Sequence, residues 1–230
     1  MIDYDIFKTL VMVKIASLGK ELVSDGYGYI SNKTNHVILY RTNDYKEYYD
    51  SGIKITFRNI KEKDLVSLGL DNIKIILKTY SPIYYLENDF FELNGPKRKK
   101  LRNDISIVNR KYSNLVIQDY YNNIEDIFSL YSRWRENKGE KVLLDEIKFI
   151  KNHGIDSFKK MFIYENDILI SYAIAEKIND SCYNLLFQTS DKRYQGISNY
   201  VLFNLFRNLF LKTKEKGIYI NSGGCGVLNE

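Results

Sequence analysis

Apolar positions at Ile6, Leu10, Met12, Val13 and Ala16 fall near helical spacing and predict a helix over residues 5–22, with Gly19 as its weak point. Short runs at 27–31, 37–41, 53–57 and 73–80 read as strands, and 61–68 as a short helix. Gly26, Asn32 with Lys33, and Ser51 with Gly52 separate them as turns. No motif that carries chemistry falls in this half. Its expected organisation is an α+β lobe over residues 1–83.

A second lobe, 84–230, has a different rhythm. Pro96 is placed as the first residue of a helix, where a missing N–H costs nothing, and Leu101, Ile105 and Val108 give that helix an apolar stripe to about Tyr112. A strand over 116–120 follows. Asn123 then caps a helix bearing Ile124, Ile127, Phe128, Tyr131 and Trp134, and a further helix over 143–153 stops at Gly154. Runs at 160–164, 168–177 and 181–189, joined by tight turns at Glu165-Asn166-Asp167 and Asn179-Asp180, read as an antiparallel meander. A helix over 199–216 has apolar pairs at 201/202, 205/206 and 209/210, and Gly217 is its expected stop. A strand over 218–221 leads into Ser222-Gly223-Gly224.

Composition narrows the function classes. The 230 residues are 44% hydrophobic and 27% charged, which indicates a folded chain rather than a disordered one. No stretch approaches the ~20 apolar residues of a membrane helix. The N-terminus carries early acids and no basic leader, so a cytoplasmic protein is expected. Two cysteines, Cys182 and Cys225, make no disulfide framework, and with only His36 and His153 no zinc spacing exists, so no metal is expected. No G-x-S-x-G elbow is present, which argues against a serine hydrolase.

Charge is uneven. The formal total is +5, yet residues 97–111 hold seven basic residues against one acid, so this segment carries +6 and the rest of the chain −1. Cations in the first turns of a helix oppose its macrodipole, and an anionic partner would offset that cost. Lys97, Arg98, Lys100 and Arg102 are therefore candidate anion-binding residues. A solvated basic face is the alternative. Any nucleic-acid contact there would be to the backbone and salt-dependent.

The segment Arg193-x-x-Gly196-x-Ser198 joins a strand to the start of an apolar helix. Glycine permits a tight turn there, the helix start offers unpaired N–H groups, and Arg193 adds charge, so the loop suits a phosphate or a developing oxyanion. Taken alone, an ordinary turn with Ser198 as N-cap is the better explanation of the pattern. Arg193, Gln195, Gly196, Ile197, Ser198 and Asn199 are the candidate donor-binding residues.

In context, three meander strands, this loop, a helix and a strand resemble the GNAT acyltransferase core, whose loop holds the donor's pyrophosphate. Ser198 stands where that pattern usually has Gly or Ala. The stretch from Phe90 through Gly95-Pro96-Lys97 to Arg102-Asn103-Asp104-Ile105 resembles the opening of the phosphatidylglycerol lysyltransferase C-terminal-like family, which pairs two GNAT lobes as Fem-type aminoacyltransferases do. Phe187-Gln188-Thr189-Ser190-Asp191 and Ile220-Asn221-Ser222-Gly223-Gly224 resemble its later strands. The resemblance implies a GNAT-like α+β fold, a mixed, mainly antiparallel sheet flanked by helices, in tandem lobes with the second lobe incomplete at its C-terminal end. It also implies acyl or aminoacyl transfer to an amine or hydroxyl, with acyl-CoA or aminoacyl-tRNA as donor substrate and no covalently bound cofactor. Gln188 and Asn221, on the two strands between which the acceptor amine or hydroxyl would lie, are the candidate catalytic side chains. Gln188 stands where the family often has an acid, and an amide is no general base. The alternative function is a non-catalytic anion- or RNA-binding module that retains the fold, with tRNA or an anionic ligand bound through the 97–111 helix.

Overall fold

The structure, a computed structural model, describes residues 9–17, 20, 22–23, 27–30, 36–40, 42–43, 45–57, 60, 62–70, 83–136 and 144–222. The chain divides into two compact units, Met1–Tyr80 and Ser81–Glu230.

In the first unit the elements are α1 (Leu10–Ser17), β1 (Gly28–Ile30), β2 (His36–Leu39), α2 (Tyr45–Asp50), β3 (Lys54–Phe57) and α3 (Glu62–Val66). β1 pairs antiparallel and β2–β3 parallel in a three-stranded sheet. Alternation along β2 builds two small cores. Ile38 and Tyr40 pack with Val13 and Tyr29 on one face, and Val37 and Leu39 with Val23 on the other. The helix expected over 5–22 ends earlier, at Ser17, whose hydroxyl bonds back to the Lys14 carbonyl at 3.0 Å. Leu22 instead forms an antiparallel bridge to Tyr29. The expected strand at 73–80 lies outside the described residues. α2 was not expected, because its sequence, YKEYYD, has no aliphatic periodicity; the Tyr45 ring holds it edge-on to Phe57, 6.4 Å between centroids.

The second unit runs β4 (Ile83–Glu87), α4 (Asn88–Phe91), a 3-10 turn (Pro96–Arg98), α5 (Lys99–Lys111), β5 (Leu115–Gln118), α6 (Ile124–Glu136), α7 (Leu144–His153), β6 (Lys159–Glu165), β7 (Ile168–Lys177), β8 (Cys182–Ser190), α8 (Ile197–Lys212) and β9 (Gly217–Asn221). Its six-stranded sheet has the order β4-β9-β8-β7-β6-β5, antiparallel throughout except for the parallel pair β8–β9. This is the α+β, mainly antiparallel architecture flanked by helices that the pattern predicts.

Alternation divides the sheet between two helical layers. Met161, Ile163, Ala173, Ala175, Tyr183 and Ile220 pack with Val108 of α5 and with Val201, Leu202, Leu205, Phe206 and Leu209 of α8. Residues of opposite parity face α6 and α7, as when the Tyr164 hydroxyl donates to Asp126, and past an extra residue at Leu186 the Phe187 ring also turns to this face, 5.6 Å from Phe149.

Local signals mostly hold here. The Asn123 side chain accepts from the Glu125 N–H at 3.0 Å, the expected cap of α6. Asn166 and Asp167 both have positive φ, 48° and 63°, which matches the tight β6–β7 turn. Pro96 opens a 3-10 turn, and the α-helix proper starts only at Lys99. Gly217 is not the stop of α8, which ends at Lys212; it is the first residue of β9, lying under the Tyr85 ring, where a Cβ would come within 2.6 Å of ring carbons. Among the described residues no helix is long and apolar enough to cross a membrane.

Candidate donor-binding site

Among the described residues the parallel pair β8–β9 joins Cys182, Tyr183 and Asn184 to Tyr219, Ile220 and Asn221. β8 continues from Leu185 to Ser190, hydrogen-bonded on its other side to β7. The β7–β8 register steps from Ala175↔Leu185 to Ile174↔Phe187, so Leu186 is an extra residue, a bulge two residues past Asn184. A bulge bends its strand and raises the local twist. Beyond Asn184 the strand runs on toward α8 for about 20 Å at ~3.3 Å per residue.

At the end of that strand the chain turns into α8. Asp191 is 2% exposed, and its carboxylate takes the Arg193 guanidinium as a fork, Nε at 3.0 Å and Nη2 at 2.6 Å. Hydrogen bonds from Arg193 hold the Asp191 carboxyl below its ordinary range. Arg133 of α6 also approaches Asp191, 3.5 Å from Nε. Arg193 therefore lies at the loop as expected, with much of its charge already answered by Asp191.

Gly196, not Ser198, is the N-cap of α8, with φ 83°. Ser198 is the second residue of the helix, and the Gln188 side chain donates to its carbonyl at 2.9 Å and its hydroxyl at 2.7 Å. Gln188 thus staples β8 to the first turn of α8, a structural use of an amide where an acid would suit proton transfer. The Gln195 N–H donates to the Tyr112 hydroxyl at 2.9 Å, Lys111 Nζ to the Gln195 side chain at 3.1 Å, and the Asn199 amide to Asp104 at 2.6 Å. A Cβ on Gly196 would lie 2.8 Å from the Asp104 carbonyl oxygen. Ile197 is buried in the core under α8.

The 97–111 helix accordingly flanks the loop through its middle and its end. Asp104, Lys111 and the following Tyr112 touch residues 195–199. Its basic start is differently employed. The Arg98 guanidinium lies over the Phe90 ring, 4.9 Å from the centroid, and Arg102 donates to the carbonyls of Leu93 and Gly95, closing the turn before the helix. Lys97 and Lys100 are, respectively, exposed on the 3-10 turn and on the first turn of α5.

Asn221 and two polar groups that the sequence reading did not single out lie on the α6/α7 face. Asn221 donates its amide to the Asn184 side-chain oxygen Oδ1 at 2.9 Å, and Asn184 donates its own amide to Glu176 Oε2 at 3.0 Å, a row across three strands. Asn184 is 0% and Asn221 2% exposed. The signal was a polar residue at an inward position of two apolar strands, and Glu176 joins it through the register set by the β7–β8 turn. On α7, Glu146 is 7% exposed and accepts from the Tyr172 hydroxyl at 2.5 Å, which Thr189 of β8 also hydrogen-bonds. Burial pushes the Glu146 carboxyl up to about 7, partly countered by the Tyr172 bond.

A mainly antiparallel sheet in which, among the described residues, a parallel pair of strands is joined through a glycine-capped helix is the layout that the GNAT resemblance implies. The same fold is found in solved structures of similar extent. The C-terminal domain of a protein assigned as a lysylphosphatidylglycerol synthetase from Agrobacterium fabrum superposes with a TM-score of 0.62 at 11% identity, over 92% of this chain and 73% of that one. L-PGS from Bacillus licheniformis gives 0.61 at 12% identity, over 98% and 79%. A conserved protein of unknown function from Bacteroides thetaiotaomicron gives 0.62 at 12%, over 85% and 72%. At these identities the likeness establishes the fold. The sequence matches no protein-family model and no curated protein.

Proposed function

We propose that the chain is a GNAT-type acyltransferase, moving an acyl or aminoacyl group from acyl-CoA or aminoacyl-tRNA to an amine or hydroxyl. The observation that carries this reading is the parallel pairing of β8 with β9, the bulge of β8 at Leu186 just beyond it, and the glycine-capped start of α8 after the same strand. Phosphates of the donor would lie at residues 193–199, at the first-turn N–H groups of α8, with Arg193 on the loop before them. The donor's carbonyl would lie along β8 beyond Asn184, where backbone N–H groups are fixed before the reaction and can stabilise a tetrahedral oxyanion. Catalysis is then chiefly placement of donor and acceptor, with no covalent intermediate on the protein.

Between donors, the name of the A. fabrum protein with the same fold refers to a lysyl product, which favours the aminoacyl class. The non-catalytic reading is favoured by one observation, the amide of Gln188 tied to Ser198 where an acid would be useful.

Calorimetric titration with acetyl-CoA and with lysyl-tRNA tests the donor site. One of the two is expected to bind. Ser198→Glu adds an acid to the first turn of α8, which suits the helix dipole but repels a phosphate. It should weaken binding at least about tenfold, ~1.4 kcal/mol, with the fold intact. Binding of neither donor to the unaltered chain would overturn the proposal.

A further inference from the structure

We propose that the exposed face of α5 docks on the phosphate backbone of an RNA duplex; this goes beyond the transferase reading and does not depend on it. Residues 97–111 hold seven basic residues against one acid, and of these Asp104 and Lys111 are hydrogen-bonded to residues 195–199. Steps of three and four residues put Lys99, Arg102, Asn103, Ser106, Asn109 and Arg110 on one side of the helix, and all six are exposed. Leu101 and Val108, on the opposite side, pack into the core. The acids nearby in sequence are already held: Asp104 takes the Asn199 amide, and Glu92, on the turn before the helix, accepts from Asn88 and Asn94.

An open groove of about 580 Å³ runs along this face, lined by Leu93, Arg102, Ile105, Ser106, Asn109 and Arg110. The Leu93 and Gly95 carbonyls take Nη1 of Arg102, which fixes the guanidinium in the wall of the groove and leaves its Nε and Nη2 donors for a ligand. Among the described residues Lys99 and Arg110 take part in no hydrogen bond or ion pair. Arg102, Ser106 and Arg110 follow one another every ~6 Å along the helix axis. That interval is close to the separation of neighbouring phosphates on one strand, so the three side chains can each meet one phosphate of a run.

The chemistry of the face selects the occupant. Among the described residues, the exposed large apolar side chains of the second unit are Tyr85, Val116, Ile117, Tyr120, Ile168 and Leu211, and none lies on α5 or on the turn before it. Unpaired bases therefore find no aromatic platform there, and a bilayer finds no side chain that inserts. A protein partner finds no aromatic anchor. Neutral donors stand between the cations instead. Asn103, Ser106 and Asn109 suit phosphate and ribose oxygens, which an A-form duplex presents in a fixed array across its shallow groove.

The test is fluorescence anisotropy of a labelled RNA duplex of about 16 base pairs titrated with the full chain. The duplex should bind, about tenfold or more weaker at roughly 200 mM than at roughly 50 mM salt. Arg110→Glu should weaken binding at least about tenfold, and Arg110→Gln should lower the slope of log affinity against log salt by about one. Lys148→Glu makes the same charge change on the exposed side of α7, across the sheet from α5, and should stay within about twofold of the wild type. If Arg110→Glu lowers the thermal midpoint, Lys99→Glu is read in its place with the same expectation. No binding of the duplex at the lower salt overturns the proposal, as does an equal loss from Arg110→Glu and Lys148→Glu, which would reduce the effect to net charge. Tighter binding of the single strand, of duplex DNA or of phosphatidylserine vesicles overturns it in favour of that partner.

Discussion

Gly196→Ala is expected to destabilise the second unit by about 3 kcal/mol, the sum of a left-handed backbone and a forced contact. At φ 83° a side chain with a Cβ costs ~1–2 kcal/mol. The added carbon would also lie 2.8 Å from the Asp104 carbonyl oxygen, which belongs to the middle of α5 and cannot swing aside as a side-chain tip can. For a chain of this length the midpoint of thermal unfolding should fall by roughly 6–12 °C. Gly196→Asn separates the two causes, since Asn tolerates the left-handed region but still carries a Cβ. If Asn costs as much as Ala, the contact with α5 dominates. A loss below about 1 kcal/mol for Ala would mean that α5 is not seated on the loop as described.

The second large effect concerns pH. With its carboxyl at about 7 in the folded chain against an ordinary value of 4.5, Glu146 binds a proton in the native state that the unfolded state has already lost across that window. Stability therefore falls as pH rises from about 4.5 to about 7 and stays lower above it, by on the order of 3 kcal/mol. Asp191 works in the opposite direction and only at lower pH, because its carboxyl is held below the ordinary value. Glu146→Gln keeps an oxygen for the Tyr172 hydroxyl and removes the titration. The difference in unfolding free energy between variant and wild type should be small at pH 4.5 and favour the variant by on the order of 2–3 kcal/mol at pH 8. Denaturant titrations at the two pH values measure it. A difference independent of pH would show that Glu146 is not buried protonated.

The residues legible in the sequence were those governed by near neighbours. The meander declared itself through alternation and through Asn166-Asp167, and Asn123 announced α6. The same reasoning located the loop at Arg193–Asn199 and its glycine. It failed where distant contacts decide. Gly217 looks like a helix stop because a glycine commonly follows a helix, yet its lack of a side chain serves the Tyr85 ring on a neighbouring strand. Arg98 and Arg102 read as free cations, but a ring and two carbonyls from residues 90–95 engage them. Glu176 was invisible as a partner of Asn184 because the pairing depends on the register set by the β7–β8 turn, which periodicity along one strand does not give. Asn221 was singled out through resemblance alone, and its hydrogen-bonded partner on β8 supplies a physical reason for an amide there.

Transfer itself is the most direct test of the account. Purified chain is incubated with donor labelled in its acyl group, acetyl-CoA or lysyl-tRNA, together with ethanolamine, and the label is followed from donor to product. The account predicts that label leaves one donor for the acceptor faster than it is lost without protein, and that Ser198→Glu suppresses this transfer. Label that stays on both donors, while the basic helix still binds RNA in a salt-dependent way, would contradict it and leave a binding module in the transferase fold.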